Sequence, residues 1–373
     1  MARRYGEGSI YRRADGRWAA ALVTGTCANG KPRRRTVYGH SRREVADKLA
    51  RLQVDRLDGN LTEPSKLRLG EYLTRWLDSV SRPRTRPTTH AEYKRLVCHV
   101  QKHASRIVLS KLSPMHIEAL QSELERTRVG ARTRQAIHRV LRNALGDAVR
   151  LGLVRVNVAA SIDTPRVPRK EIRVLDGEQT RHLLDVAVND SKIGALVTLL
   201  STTGLRIGEA LALRWLDVDL RTGTIKVNRT LVEIDGKFSF QEPKSKASRR
   251  KVGIPQETVD ALRALRSKIR GVPHPERLVF TDRRCGPLRR SNLIRRDWHP
   301  LLKLAELPKT GFHILRHSHA TQLLAAGANP RAVADRLGHS QASLVLDVYG
   351  HVLPGADREL TDRTATLLRP GSA

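Results

Sequence analysis

In "FHILRHSHATQLL" His313, Arg316 and His317 recur at three- and four-residue spacings, so on a helix they share one face. Both residue types donate hydrogen bonds, which suits a phosphate oxyanion. A metal fits less well. The segment has no His-Glu-x-x-His, no neighbouring cysteine and no carboxylate ligand, and Arg316 would repel a divalent cation. Arg206 lies in "TTGLRIGEALAL", just after a glycine turn, with Glu209 three residues on and able to orient it from the same helix face. Alone, in so arginine-rich a chain, it would be a surface residue. "PKSKASRRK" is a basic turn between strands, and taken alone it is another phosphate contact. "RAVADRLGHS" sets His339 after a helix-ending glycine. Tyr349, one of six tyrosines, follows ten residues later, just outside an apolar run. By itself such a tyrosine is more often a core residue.

The composition narrows what these groups act on. The 373 residues suffice for two or three domains, and 69 Lys plus Arg against 37 Asp plus Glu give a formal charge of +32. That is far more than solubility requires and implies a polyanionic partner, with nucleic acid the leading candidate. Apolar stretches such as "IGALVTLL" are too short to span a bilayer, and the start "MARRYGEGSI" carries no apolar segment of a secretory signal. Three cysteines, Cys27, Cys98 and Cys285, lie far apart with no Cys-x-x-Cys pair. The reading is a soluble, cytoplasmic, nucleoid-associated protein without a membrane partner.

The elements that must position the chemistry follow from patterning. Turns at Asp15-Gly16 and Asn29-Gly30 separate three short strands, and Ser41 with Glu44 forms a capping-box signature that opens a helix ending near Gly59. Arg12, Arg13, Arg17, Arg33, Arg34 and Arg35 cluster on or beside these strands, so one sheet face could enter a DNA groove; the bland reading is a solvated basic face. "GNLTEPSK" reads as a linker. From Leu67 to Ile162 four segments have helical periodicity, with a second capping box expected at Thr89 and Glu92 and a cap at Ser113-Pro114. Arg132, Arg134, Arg139 and Arg142 on the last of these helices either track phosphates or form a wet face. "DTPRVPRKE" is a second linker. Beyond it come helices capped by Asp176 and broken at Thr203-Gly204, strands with a turn at Asp235-Gly236, and helices again, one opened by Asn329-Pro330. The expected fold is multidomain and mainly α with small β-sheets. A three-stranded unit plus helix occupies 1–60, a helical unit 66–162 and a mixed α+β unit 172–373.

In this order and span, "TTGLRIGEALALRWLDVDL", "HILRHSHAT" and "LGHSQASLVLDVYGHV" resemble the signature boxes of the tyrosine recombinase, or phage integrase, family of the three-domain arm-binding type. The resemblance implies an N-terminal arm-type DNA-binding domain, a helical core-binding domain and a catalytic domain. It also implies that Arg206, His313, Arg316 and His339 surround the scissile phosphate and that Tyr349 is the nucleophile. A lysine on the strand turn completes the set. Family members commonly read Pro-Lys-Thr there, which aligns Lys244 with the functional position and leaves Lys246, two residues on, as the alternative.

Such a site would join Tyr349 to a DNA 3′-phosphate and release a 5′-hydroxyl, with no metal or nucleotide cofactor. A phosphodiester repels nucleophiles until its charge is neutralised, which two guanidiniums do by bidentate contact. The histidines supply further hydrogen bonds and one can accept the phenol proton, while the lysine can protonate the leaving oxygen. The resemblance thus implies a site-specific recombinase that integrates and excises a phage or other mobile element. Its partners would be double-stranded core and arm sites, a homotetramer on DNA, and directionality and DNA-bending factors. Competing readings are a non-cleaving DNA-binding regulator of the same fold, a type IB topoisomerase-like enzyme and a zinc hydrolase.

Overall fold

The computed structural model describes residues 8–26, 32–57, 66–168, 173–189, 191–243 and 248–338, with Thr361 and Thr364. The Asn29-Gly30 turn, Lys244, Lys246, His339 and Tyr349 lie outside the described residues. The chain divides into two compact units, 1–168 and 169–373.

The first unit begins with an antiparallel sheet of β1 (Ser9–Arg12), β2 (Trp18–Thr26) and β3 (Pro32–Gly39), followed by α1 (Arg42–Leu57). Gly16 takes φ +81°, and the Asp15 carboxylate accepts the Arg17 amide at 3.1 Å, which closes the first hairpin. Ser41 Oγ accepts the Glu44 amide at 3.1 Å, while Glu44 reaches back to the His40 amide at 2.9 Å. The expected cap is therefore present, displaced by one residue on its return arm. Ala20 and Leu22 meet Val45, Leu49 and Leu52 of α1 in a small apolar cluster.

A second, larger cluster of the same unit runs from Leu69 to Ala159. Its helices are α2 (Leu69–Arg75), a π-helical turn (Trp76–Ser81), α3 (Arg82–Arg84), α4 (Pro87–Ala104), α5 (Pro114–Arg126) and α6 (Ala131–Arg150). The Thr89 cap is a miss. α4 starts three residues earlier, with Arg86 as its N-cap, because Pro87 sits in its first turn, where a missing N–H costs nothing, so Glu92 lies inside the helix and binds Arg95 at 2.7 Å instead. Ser113 does precede Pro114 as expected, paired with His116 Nδ1 at 2.9 Å. Trp76 Nε1 donates to the buried Asp147 carboxylate at 2.7 Å and Arg84 adds a bond at 3.1 Å, which fixes the π-turn on α6.

The second unit contains α7 (Gly177–Ala187), α8 (Ser191–Thr203) and α9 (Ile207–Ala210). Five strands follow: β4 (Val218–Asp219), β5 (Thr224–Val227), β6 (Thr230–Ile234), β7 (Lys237–Gln241) and β8 (Arg250–Gly253). The remaining helices are α10 (Gln256–Ser267), α11 (Arg290–Leu293), α12 (His299–Leu304), α13 (His313–Ala325) and α14 (Pro330–Leu337). β5 pairs antiparallel with both β4 and β8, and β6 with β7. Asp235 and Gly236 at φ +49° and +76° make the expected hairpin turn between the latter two. Asp176 accepts the Gln179 amide at 2.8 Å and caps α7, a contact worth about 1 kcal/mol. Asn329 caps α14 by accepting the Arg331 amide at 2.8 Å. One apolar cluster joins α7 to α10 with α12 and the start of α13, and a smaller one joins α13 to α14. Among the described residues no helix is long and apolar enough to cross a membrane.

Candidate active site

The break between α8 and α9 is where the second unit brings its chemistry together. Gly204 ends α8 at φ +63°, and a Cβ there would sit 2.5 Å from Leu337 Cδ2 and 2.8 Å from His319 Cδ2. Only glycine fits, because the turn is left-handed and pressed against both α13 and the end of α14.

Arg316 locks that approach. It is 2% exposed, and its guanidinium donates from Nη1 to Gly204 O at 2.7 Å and from Nη2 to Leu337 O at 2.8 Å. One planar fork therefore spans residues 112 and 21 positions away in sequence. These two bonds fix its plane.

Arg206 follows the turn and is positioned differently. Glu209 accepts its amide at 3.0 Å and its Nη1 at 2.9 Å, as the three-residue spacing led us to expect, while 39% of the arginine side chain stays open to solvent. Glu209 is itself 4% exposed. Burial alone would raise its pKa, but the charges of Arg250 and Arg206 outweigh that and hold it below the usual carboxylate value. A buried carboxylate stripped of such a partner would cost roughly 3–5 kcal/mol.

His313 begins α13, with the His317 ring 4.8 Å away edge-on. Burial first, then His317, Arg316, Arg206 and Arg290, push the His313 pKa down to about 4, although its exposed surface lets water screen part of that field. Burial and Arg316 lower His317 as well. In the DNA-free protein both imidazoles are therefore neutral at pH 7.

Sequence reasoning missed three residues that build this site. His319 is buried and pushed down to about 4 by burial and Arg336, whose Nε donates to His319 Nε2 at 3.1 Å. Arg336 also binds Thr202 O at 2.8 Å and Gly253 O at 3.1 Å. Arg250, at the start of β8, donates to Arg336 O at 2.6 Å and to Glu209 at 3.0 Å. Strand alternation could have found it: Arg250, Val252 and Ile254 share a face, and the last two are apolar and buried. Nothing in the local sequence marks Arg336 or separates His319 from its neighbours.

The remaining sequence-predicted residues divide. Arg132, Arg139 and Arg142 are exposed on α6, whereas Arg134 binds Glu125 at 2.7 Å and is only 17% exposed. On the N-terminal sheet Arg12, Arg13 and Arg17 are exposed, and Arg17 pairs with Asp15 at 2.9 Å. Register places Arg35 opposite Leu22 on the face that α1 covers and Arg34 opposite Val23 on the other face. Among the described residues no group of three or more His, Cys, Asp or Glu could hold a metal ion.

Residues 173–355 match the model of the phage integrase family, a span that includes Arg206, His313, Arg316, His339 and Tyr349. A "Tyrosine recombinase XerC-like" protein of Caldanaerobacter subterraneus subsp. tengcongensis is 26% identical over 381 residues, covering 94% of this chain and 95% of that protein. Among solved structures, the Tn1549 transposon integrase in complex with a circular intermediate DNA superposes with a TM-score of 0.68 at 21% identity, covering 80% of this chain and 99% of that one. A lambda integrase tetramer bound to a Holliday junction gives 0.60 at 16% identity, covering 90% and 96%. These likenesses establish a shared fold.

Proposed function

The chain belongs to the phage integrase family of tyrosine recombinases, and on that premise we propose that it cuts and rejoins double-stranded DNA for a mobile element through a phosphotyrosyl intermediate on Tyr349. It is a site-specific DNA recombinase. The observation that carries the reading is the turn at Gly204, where Arg316 and the Glu209-oriented Arg206 converge with His313 on one apolar-backed corner.

The chemistry follows from that corner. A phosphodiester held at Arg206 and Arg316 has its negative charge offset by guanidiniums whose planes the protein already fixes. Tyr349 Oη attacks phosphorus, the P–O5′ bond breaks, and the tyrosine becomes esterified to the 3′-phosphate. A free phenol ionises near pH 10, so the attack needs the positive field and a proton acceptor. Neutral His313 is available for that proton, and the arriving phosphate anion raises its basicity by offsetting the cations around it. Lys244, with Lys246 as the alternative, protonates the leaving 5′-oxygen, and His339 adds a hydrogen bond to the phosphate. Because the ester keeps the bond energy, a 5′-hydroxyl of another strand reverses the step and joins new partners.

Exchange of two duplexes breaks four strands, so four copies are required if each site cuts one. A homotetramer is the assembly we propose, and the lambda integrase tetramer on a Holliday junction supports it. Residues 1–60 are proposed to bind arm DNA, 66–162 core DNA, and 172–373 to do the chemistry, in the cytoplasm on the nucleoid, with directionality and DNA-bending factors as further partners. Deleting 1–60 should weaken binding to composite attachment DNA about tenfold or more and spare core-site cleavage, since linked sites add through effective concentration. Unchanged composite binding in a gel-shift titration would reject the arm assignment. The catalytic reading is tested with a nicked duplex from the element–host junction: the wild-type protein forms an adduct that survives denaturing electrophoresis, and Tyr349→Phe forms none while still binding DNA. Persistence of the adduct in that variant would exclude Tyr349.

A further inference from the structure

Glu209 holds Arg206 by a carboxylate, and a carboxylate alone makes a poor holder for a phosphate-binding arginine. In a one-to-one ion pair it would cancel the guanidinium charge that the phosphate needs. The structure avoids this by dividing the carboxylate between two cations. Glu209 Oε1 accepts from Arg206 Nη1 at 2.9 Å, while Oε2 accepts from Arg250 Nη2 at 3.0 Å and from the Arg206 amide at 3.0 Å.

Arg250 is unusually well fixed for this task. Its side chain is 7% exposed, and besides Glu209 it donates from Nε to Arg336 O at 2.6 Å and from Nη1 to Ser248 O at 3.1 Å. Gly338, at φ +70°, lies so close that an added Cβ would fall 2.8 Å from Arg250 Nη1. Its neighbour Arg249 shows the contrast: it is 55% exposed and binds the exposed Glu242 at the surface.

We infer that Arg250 is a positioning residue for DNA cleavage, acting through Glu209 to aim Arg206 while leaving Arg206 its positive charge. The chain of contact runs from the Arg336 and Ser248 carbonyls to Arg250, to Glu209, and so to Arg206. Two guanidiniums against one carboxylate leave a net positive charge at the open end, which is the Arg206 end. This inference rests on the reading of Arg206 as a phosphate contact. Arg250 itself does not reach the DNA in this account, so its loss should slow the reaction rather than weaken binding.

The test uses the full-length chain and the nicked junction duplex, following the first-order rate of adduct formation at saturating protein together with the Kd for the same DNA. Arg250→Met should lower the rate roughly tenfold or more with Kd within about twofold, a pattern expected when only transition-state contacts are lost. Arg250→Lys, which keeps the charge but not the fork, should fall between Met and wild type. The Glu209→Gln/Arg250→Met double variant leaves no unpaired buried carboxylate, and it should cleave within about twofold of Glu209→Gln alone because both changes break one chain of contacts. That comparison also holds should Arg250→Met by itself unfold, as a thermal melt would reveal. Arg249→Met controls for the loss of a nearby charge. A multiplicative double variant, an Arg250→Met rate within twofold of wild type, or an equal defect in Arg249→Met would each overturn the inference while the wild-type adduct keeps the parent reading intact. No wild-type adduct would remove both.

Discussion

The arginines of α6 and those around Gly204 belong to the same residue type and do opposite things. Arg132, Arg139 and Arg142 stand exposed on one helix, free to follow a phosphate that shifts by an ångström or two. Arg316, Arg250 and Arg336 are held by backbone carbonyls, with Arg316 and Arg250 largely withdrawn from water. An exposed cation supplies attraction that salt screens, whereas a fixed one supplies geometry that salt hardly touches. Charge count alone therefore says little about which arginines matter.

The contrast is broken most severely at Arg316. Arg316→Lys keeps the charge but loses the planar fork that reaches both Gly204 O and Leu337 O, so adduct formation should drop by about 10²- to 10³-fold and the melting temperature should fall too. A loss below tenfold in single-turnover assays would mean that charge, not geometry, is what Arg316 contributes.

A smaller effect is expected from His319. Its pKa of about 4 in the folded chain lies below the value near 6.5 of an unfolded histidine, so between these pH values the unfolded chain binds the extra proton. Stability is accordingly full above pH 6.5, declines as pH falls toward 4, and flattens below. The share of one such residue is at most about 3 kcal/mol. Melts of the wild type and His319→Gln at pH 7, 5.5 and 4.5 should show a shallower decline in the variant; parallel curves would indicate that His319 does not carry it.

The smallest effect belongs to α6. Arg139→Ala should weaken DNA binding across sequences, reduce the slope of log K against log salt by about one, and leave the cleavage rate of bound DNA unchanged. An unchanged slope would make Arg139 part of a solvated face.

How much of this was legible in the sequence depended on the distance over which a residue acts. Asp235-Gly236, Asp176 and Asn329-Pro330 act on neighbours a few residues away, and each takes the expected turn or cap. Thr89 failed for a local reason, since Pro87 supplied a better start and moved the cap three residues earlier, to Arg86. The Glu209 contact to Arg206 was readable from one helix turn. The Arg250 contact to Glu209 spans 41 residues and that of Arg336 to His319 spans 17. Such pairings are set by how α13, α14 and β8 meet the α8–α9 turn, which no local pattern encodes. His339, Tyr349 and the lysine lie outside the described residues, and the roles proposed for them rest on the motif resemblance.

The proposed chemistry turns on a covalent bond to one of six tyrosines. The most direct measurement digests the purified protein–DNA adduct with nuclease and protease and sequences the modified peptide by mass spectrometry. A 3′-phosphonucleotide remnant on the peptide containing Tyr349 is the predicted result. A remnant on any other residue, or a 5′-linked one, would contradict it.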